Sequence, residues 1–340
     1  MSTLVGGSGL FGQTSPTGPL SCLGPVRLSS TVPRVNLQPG IADRSGEFLL
    51  FAVTPPRLTT SPQEAAEIAR VTLERLRSLE IDGLVLYDID DESDRNPDER
   101  PFPFLPTMDP AEYLDRDLAG LEVPAIVYRA VGKYREDRFR SWLVEQDPSR
   151  ALAVFVGSSS REKAVLTSLA RAYELRDEVQ PELPLGGVAI SERHARQGDE
   201  HLRLIAKQAA GCSFFITQIV YDVNAAKNLI SDYHHECAAQ KLEPMPIVFS
   251  FSVCGSLKTL EFLQWLGVTV PRWIENELRY ADDTLDASYE QAVATAVDLI
   301  AFCRRLGAPF GLNVESVSIR KVEIEASVRL AARLGAELRR

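Results

Sequence analysis

Cys212-Ser-Phe-Phe-Ile-Thr-Gln-Ile-Val-Tyr-Asp222, followed by Val223 to Cys237, decides how the rest of the chain is read. An apolar run, a polar pair at Thr217 and Gln218, and then an amphipathic helix is the pattern of a buried parallel strand that delivers its last residues to a binding face. Asp222 is the better placed of the nearby polar residues to start the helix, which leaves Gln218 to point at a ligand.

Working outward, the same unit recurs. Phe48 to Val53 is apolar and ends at Thr54-Pro-Pro-Arg57, and Ser61-Pro-Gln-Glu64 then has the form of a capping box with proline at the first helical position. Gly83 to Tyr87 precedes an acidic, proline-rich loop, Asp88 to Asp109, and Asp109-Pro-Ala-Glu112 opens the next helix. Further units pair Ala125–Tyr128 with a helix near Glu136 to Glu145, Leu152–Val156 with one from about Arg161 to Arg176, and Leu185–Ile190 with one near Glu200 to Ala210. Ile247–Phe251 with Leu257 to Leu266, and Phe310–Val314 with Val322 to Leu338, complete the series. Pro124, Pro184, Pro246 and Pro309 each stand just before a predicted strand, where the missing N–H does least harm.

Eight strand–helix units in unbroken alternation predict an α/β fold, a (β/α)8 TIM barrel, with the active face at the strand C-termini. Pro271 to Tyr280 and Asp283 to Leu306 form a helical insertion before the last strand. Residues 1–45, rich in Gly, Ser, Thr and Pro, are expected to be a disordered, flexible N-terminal tail, with a segment such as Val26 to Leu37 free to lie against the barrel. Residues 46–340 are expected to be a single barrel domain, and 340 residues are enough for one, since a barrel needs about 250.

A net charge of −10, with basic residues interleaved among acids, argues against nucleic-acid and anionic-membrane partners. Five scattered cysteines without a C-x-x-C pair read as reduced thiols of a cytoplasmic protein. No apolar run approaches the roughly 18–20 residues of a membrane span. The expected partner is a small molecule, with self-association or a protein partner left open.

The strand ends supply the candidates: Asp88, Tyr128, Ser158 and Ser159, Glu192 and His194, Thr217 and Gln218, Ser252, and Glu315 with Arg320. Gly157 to Ser160 has the composition of an anion cradle and equally of an ordinary helix cap. Asp88 to Asp94 lacks the glycine and spacing of a calcium loop and reads as solvated; no metal site is expected. His194 suits an acid, a base, a ligand or a surface loop, while His234 and His235 fit a favourable helix-end interaction.

Four segments resemble methylenetetrahydrofolate reductase in order and spacing: Phe214 to Asp222, Pro246 to Leu257, Gly267 to Ile274 and Gly311 to Arg320. Phe51-Ala-Val-Thr-Pro-Pro-Arg57 is similar to that family's first-strand motif. The resemblance implies a barrel that binds FAD at the strand C-termini, takes hydride from NAD(P)H and passes it to the methylene group of a bound tetrahydrofolate derivative. It assigns Gln218, with Thr217, Tyr128, Arg320 and Ser252, to the folate, and Ser158, Ser159 and His194 to the cofactor. The family's first-strand carboxylate falls at Ala52, its fourth-strand Arg-Gly-Asp at about Gly157 to Ser159, its third-strand His near Tyr128 and its fifth-strand Tyr near Ile190. These departures argue against a tightly held FAD and leave Glu315, Glu192 or Asp88 as replacement acids. Three readings follow: a folate reductase using NAD(P)H, a folate-dependent methyl transferase, and a non-catalytic folate-binding barrel.

Overall fold

The computed structural model describes residues 37–44, 46–94, 96–157 and 164–340. Most of the expected tail lies outside the described residues, as do Ser158 and Ser159. Eight parallel strands close in sequence order: β1 (Phe48–Val53), β2 (Gly83–Leu86), β3 (Ala125–Ala130), β4 (Ala151–Val156), β5 (Leu185–Ala189), β6 (Cys212–Ile219), β7 (Ile247–Ser252) and β8 (Phe310–Glu315), with β8 pairing β1. This is the (β/α)8 barrel that the alternation predicts.

Side-chain alternation sorts each strand into two faces. Phe48, Leu50, Ala52, Val85, Ile126, Tyr128, Leu152, Val154, Phe214, Ile216 and Val248 fill the barrel interior as one cluster. Their neighbours face the surrounding helices in a second, larger core. Near the floor, large residues sit against glycines: a Cβ on Gly311 would lie 2.5 Å from the Phe48 ring, and one on Gly186 2.5 Å from Phe214. Part of the expected tail is ordered. α1 (Leu37–Ala42) inserts Leu37 and Ile41 into the interior cluster and closes the N-terminal end of the barrel.

The caps read from sequence form as written. Ser61 Oγ accepts from Glu64 N at the start of α2 (Pro62–Arg77), and Asp109 Oδ1 accepts from Ala111 and Glu112 N at α3 (Pro110–Asp117). The carbonyls of Pro124, Pro184, Pro246 and Pro309 accept from Leu84, Ala153, Phe215 and Ile247, so each proline still joins the strand before it in the barrel. α4 (Glu136–Glu145) occupies its expected span. α5 (Leu169–Val179) begins later than expected, because Ser168 caps it. Between β5 and α7 (Glu200–Ala209) there is a short helix the sequence reading missed, α6 (Ser191–Gln197), ended by Gly198 at φ 73°. α8 (Val223–Gln240) follows β6, and Asp222 caps it through Asn224 and Ala225 N–H. After β7 come α9 (Leu257–Trp265), the inserted helices α10 (Arg272–Tyr280) and α11 (Thr284–Leu306), and, beyond β8, α12 (Lys321–Leu338). A third apolar cluster, with Tyr221, Leu260, Leu263, Val270, Ile274 and Leu278, fixes α9 and α10 over the end of β6. No helix among the described residues is long and apolar enough to cross a membrane.

Candidate functional site

A cleft of about 2190 Å³ opens at the strand C-termini. Its walls include Ala52, Tyr87, Asp88, Tyr128, Val156, Val188, Thr217, Gln218, Glu315 and Arg320. Single small-molecule sites run to about 300–1,000 Å³, so this cleft has room for a large ligand or for two.

Gln218 continues the inward series Phe214, Ile216 along β6, which places its amide at the cleft. Its Nε2 donates to Leu266 O at 2.8 Å. That contact uses the donor end of the amide and leaves Oε1 as its acceptor. Thr217 shapes the strand that carries it. The β6–β7 register shifts between Ile216 and Ile219, and Thr217 Oγ1 accepts from Ser250 N at 3.0 Å across the irregularity. Thr217 lines the cleft, and its hydroxyl also supports the backbone at this irregularity.

Glu315 ends the inward series Gly311, Asn313 on β8, and the barrel register pairs it with Ala52 on one side and Ser252 on the other. The carboxylate missing from β1 is thus met by one on the adjoining strand at the same height. Burial pushes the Glu315 carboxyl up to about 7, only partly opposed by a hydrogen bond from Tyr87. Tyr87 also accepts from Asn313 Nδ2 at 3.1 Å, and the same nitrogen donates to Ser250 Oγ at 3.0 Å. Tyr128 packs edge-on to Tyr87 with ring centroids 4.9 Å apart. A carboxyl with phenols for neighbours and, among the described residues, no cation paired with it is poised between its protonated and ionised forms near neutral pH.

The other candidate acids are placed differently. Both Asp88 oxygens are occupied, by Lys133 Nζ at 2.5 Å, Ala130 N at 2.7 Å and Tyr134 OH at 2.8 Å. Tyr134 OH also reaches Asp109 at 2.9 Å, and Asp109 is held by Arg129. Asp88 is the anchor of a loop. Glu192 is buried in α6 with Oε2 unpartnered; burial raises its carboxyl, and the backbone N–H groups of Glu192 and Thr269 oppose this. It lies off the cleft wall, as does His194, whose Nε2 meets Asp232 Oδ2 of α8 at 3.0 Å. Ser252 is buried below the cleft surface with its Oγ on Val253 O. None of these three lines the cavity. His194, His201 and Asp232 do bring ligating atoms within 4.8 Å of one another, outside the cleft. Arg320 lines the cleft, with Nη1 on Glu323 Oε1 at 3.0 Å and Gly255 O at 3.3 Å.

Sequence reading passed over one wall completely. The loop from β2 to α3 folds back over the mouth and presents Arg100, Phe102 and Phe104 to the cavity beside Phe262 and Trp265 of α9. The only signal in the sequence was three aromatic or basic residues among prolines, which does not say where a loop lands.

A closed eight-stranded barrel with an inward amide and a perturbed carboxyl facing one deep cleft is a small-molecule-binding barrel of the kind that builds its site at the strand C-termini. Residues 178–316 match the family described as Methylenetetrahydrofolate reductase, a span that contains both Gln218 and Glu315. An uncharacterized protein from Clostridium thermocellum, described as binding two copies of 5-methyl-5,6,7,8-tetrahydrofolic acid, is 42% identical; the match covers 89% of this chain and 99% of that one, with a TM-score of 0.78. The chain belongs to the methylenetetrahydrofolate reductase family. An endo-1,4-beta-xylanase from Caldicellulosiruptor owensensis, 12% identical over 82% of this chain and 88% of that one with a TM-score of 0.44, is a far more distant match. No curated protein matches the chain.

The family implies FAD. Of the residues the resemblance gives to the cofactor, Ser158 and Ser159 lie outside the described residues and His194 lies off the cleft; at the strand ends where the family pattern is lost, the described residues Ala52, Tyr128, Gly157 and Ile190 offer one phenol and no charge. They do not fit a tightly held FAD, and no step below is routed through one.

Proposed function

We propose that this protein binds a reduced folate in the cleft and reduces its methylene group with NAD(P)H, with Glu315 supplying the proton. The observation that carries this reading is the pairing of Gln218 with Glu315 on inward positions of β6 and β8, facing one cavity inside the family-matched span. Gln218 Oε1 offers an acceptor to the donor edge of a pterin, and Leu266 O holds the amide in that orientation. The carbon–nitrogen bond of the methylene bridge opens as the leaving nitrogen takes a proton, which a carboxyl near 7 is protonated often enough at neutral pH to give, and NAD(P)H, when bound, would supply the hydride to the carbon so released. Tyr87 orients that carboxyl, and the apolar walls at Val156 and Val188 keep water from competing. The methyl-folate binding described for the Clostridium thermocellum protein supports the choice of ligand, and the size of the cleft leaves space for a nucleotide beside the folate.

Calorimetric titration with 5-methyltetrahydrofolate, together with an anaerobic assay of methylenetetrahydrofolate-dependent NAD(P)H oxidation, tests the reading. Binding with turnover and a colourless protein is expected. Binding without nicotinamide dependence, but with loss of labelled methyl to an acceptor, would replace reduction by methyl transfer. No binding would remove the folate.

A further inference from the structure

Arg100 is a cation in the cleft wall that, among the described residues, makes no hydrogen bond or ion pair. Its Nε and Nη1 are buried without acceptors. Its guanidinium carbon lies 5.3 Å from the centre of the Phe104 ring, 5.3 Å from Phe262 and 5.1 Å from Trp265. Burial lowers its pKa, while the nearby charges of Asp91 and Glu92 act the other way. Aromatic faces attract a cation by about 0.5–2 kcal/mol, but they leave its five planar N–H donors unused.

The surroundings are built to hold this group in place. Asn96 Nδ2 donates to Trp265 O and Trp265 Nε1 donates to Asp98 O, each at 2.9 Å, which pins the loop to α9 on both sides of the guanidinium. Phe262 and Trp265 stack with 15° between their planes, and Phe102 meets Phe262 edge-on at 5.5 Å. Lys258 stands 4.7 Å over Phe102, so a second cation flanks the same rings. Phe102 and Leu105 remain 37% and 41% exposed at the cavity. Trp265 is followed directly by Leu266, whose carbonyl holds Gln218. One wall therefore runs without a break from the amide to the aromatic rings to Arg100.

We propose that Arg100 and Lys258, with Phe102, Phe262 and Trp265, form the receptor for the acidic end of the folate, the aryl ring lying on the aromatic wall and the glutamate carboxylates meeting the two cations. The proposal rests on the folate reading above and adds the part of the ligand that the pterin-facing residues leave unassigned. Charge, planarity and order along the wall all match: hydrogen-bonding heterocycle, aryl ring, carboxylates. A guanidinium between ring faces presents a fork that a carboxylate can accept from, and lysine cannot reproduce it.

The test is calorimetric titration of wild type, R100Q, R100K and K258Q with 5-methyltetrahydrofolate and with tail-less 6-methyltetrahydropterin. R100Q is expected to weaken the folate about 10- to 100-fold and leave the tail-less pterin unchanged, because a hydrogen bond to a charged partner contributes about 1.5–3 kcal/mol. R100K should recover only part of the loss. K258Q, at an exposed site that tolerates substitution, should weaken the folate about threefold and reduce its salt dependence, consistent with one exposed charge pair. Folate affinity within twofold of wild type in both R100Q and K258Q, or equal weakening of the two ligands, would overturn the proposal and leave the folate reading standing. A wild-type protein that binds neither compound overturns the folate reading and this proposal with it.

Discussion

The interior of the barrel has two unlike sides at the height of the cleft. On β6, β7 and β8 the inward positions carry Gln218, Ser250, Asn313 and Glu315, of which Asn313 and Glu315 are hydrogen-bonded to Tyr87 and Ser250 to Asn313. On β1, β4 and β5 the corresponding positions carry Ala52, Val154, Val156 and Val188, all apolar. The polar side, β6 to β8, lies inside the family-matched span, residues 178–316, whereas of the apolar side only β5 does. The difference teaches that the hydrogen-bonding groups have been gathered onto one wall, and that a carboxylate can stand on the neighbouring strand at the same height, because neighbouring strands in register place their side chains about 5 Å apart.

The largest expected effect comes from E315Q. If the polar wall is the catalytic one, the substitution lowers methylenetetrahydrofolate-dependent NAD(P)H oxidation by about 10²- to 10⁴-fold with folate affinity nearly unchanged. The wild-type rate should fall as pH rises through about 7, where the carboxyl loses its proton, and E315Q should lack that limb. Stability follows the same sign. The folded carboxyl holds its proton up to about 7 whereas the unfolded one releases it near 4.5, so folding stability falls as pH rises between those values. Thermal melts of E315Q should be flatter over that range than those of wild type.

A52E sharpens the comparison from the opposite wall. It places a second carboxyl beside Glu315 in register, and the pair should cost about 1–3 kcal/mol of stability, more at pH 8 than at pH 5, since ionised neighbours repel. E315A combined with A52E should regain part of the activity lost in E315A alone. Equal melting of A52E and wild type at both pH values would show that the two positions do not face each other.

G311A separates floor from cleft. Its Cβ would meet the Phe48 ring at 2.5 Å, and overpacking of this kind costs about 1–3 kcal/mol in denaturant unfolding while folate affinity stays at the wild-type level. A change in affinity larger than the change in stability would mean that the site reaches the floor. The smallest effect belongs to Q218A, which removes one neutral hydrogen-bonding group and should weaken 5-methyltetrahydrofolate about tenfold by calorimetry.

The local grammar was readable where neighbouring residues alone decide the structure. Ser61, Asp109, Asp222 and Asp283 cap helices because a short acceptor side chain before the first turn meets N–H groups two and three residues on. Gln218 and Glu315 could be named because each stands at the C-terminal end of a predicted strand, where such barrels build their sites. Asp88 could not be read correctly, because its partners Ala130, Lys133 and Tyr134 are more than 40 residues away and only folding brings them together. His194 was assigned to the cavity from its position after β5, but the unforeseen helix α6 turns it towards α8.

By itself, then, the sequence determined the eightfold alternation, the helix caps and the family, since each depends on periodicity or on motifs within one segment. The tertiary structure decided which carboxyl stands opposite Ala52, which hydroxyl supports the β6–β7 irregularity, and where the Asp88–Asp109 loop comes to rest. Those are relations between strands and loops far apart in the chain, set by barrel closure and by the pinning of Asn96 and Asp98 to Trp265, and no local pattern encodes them.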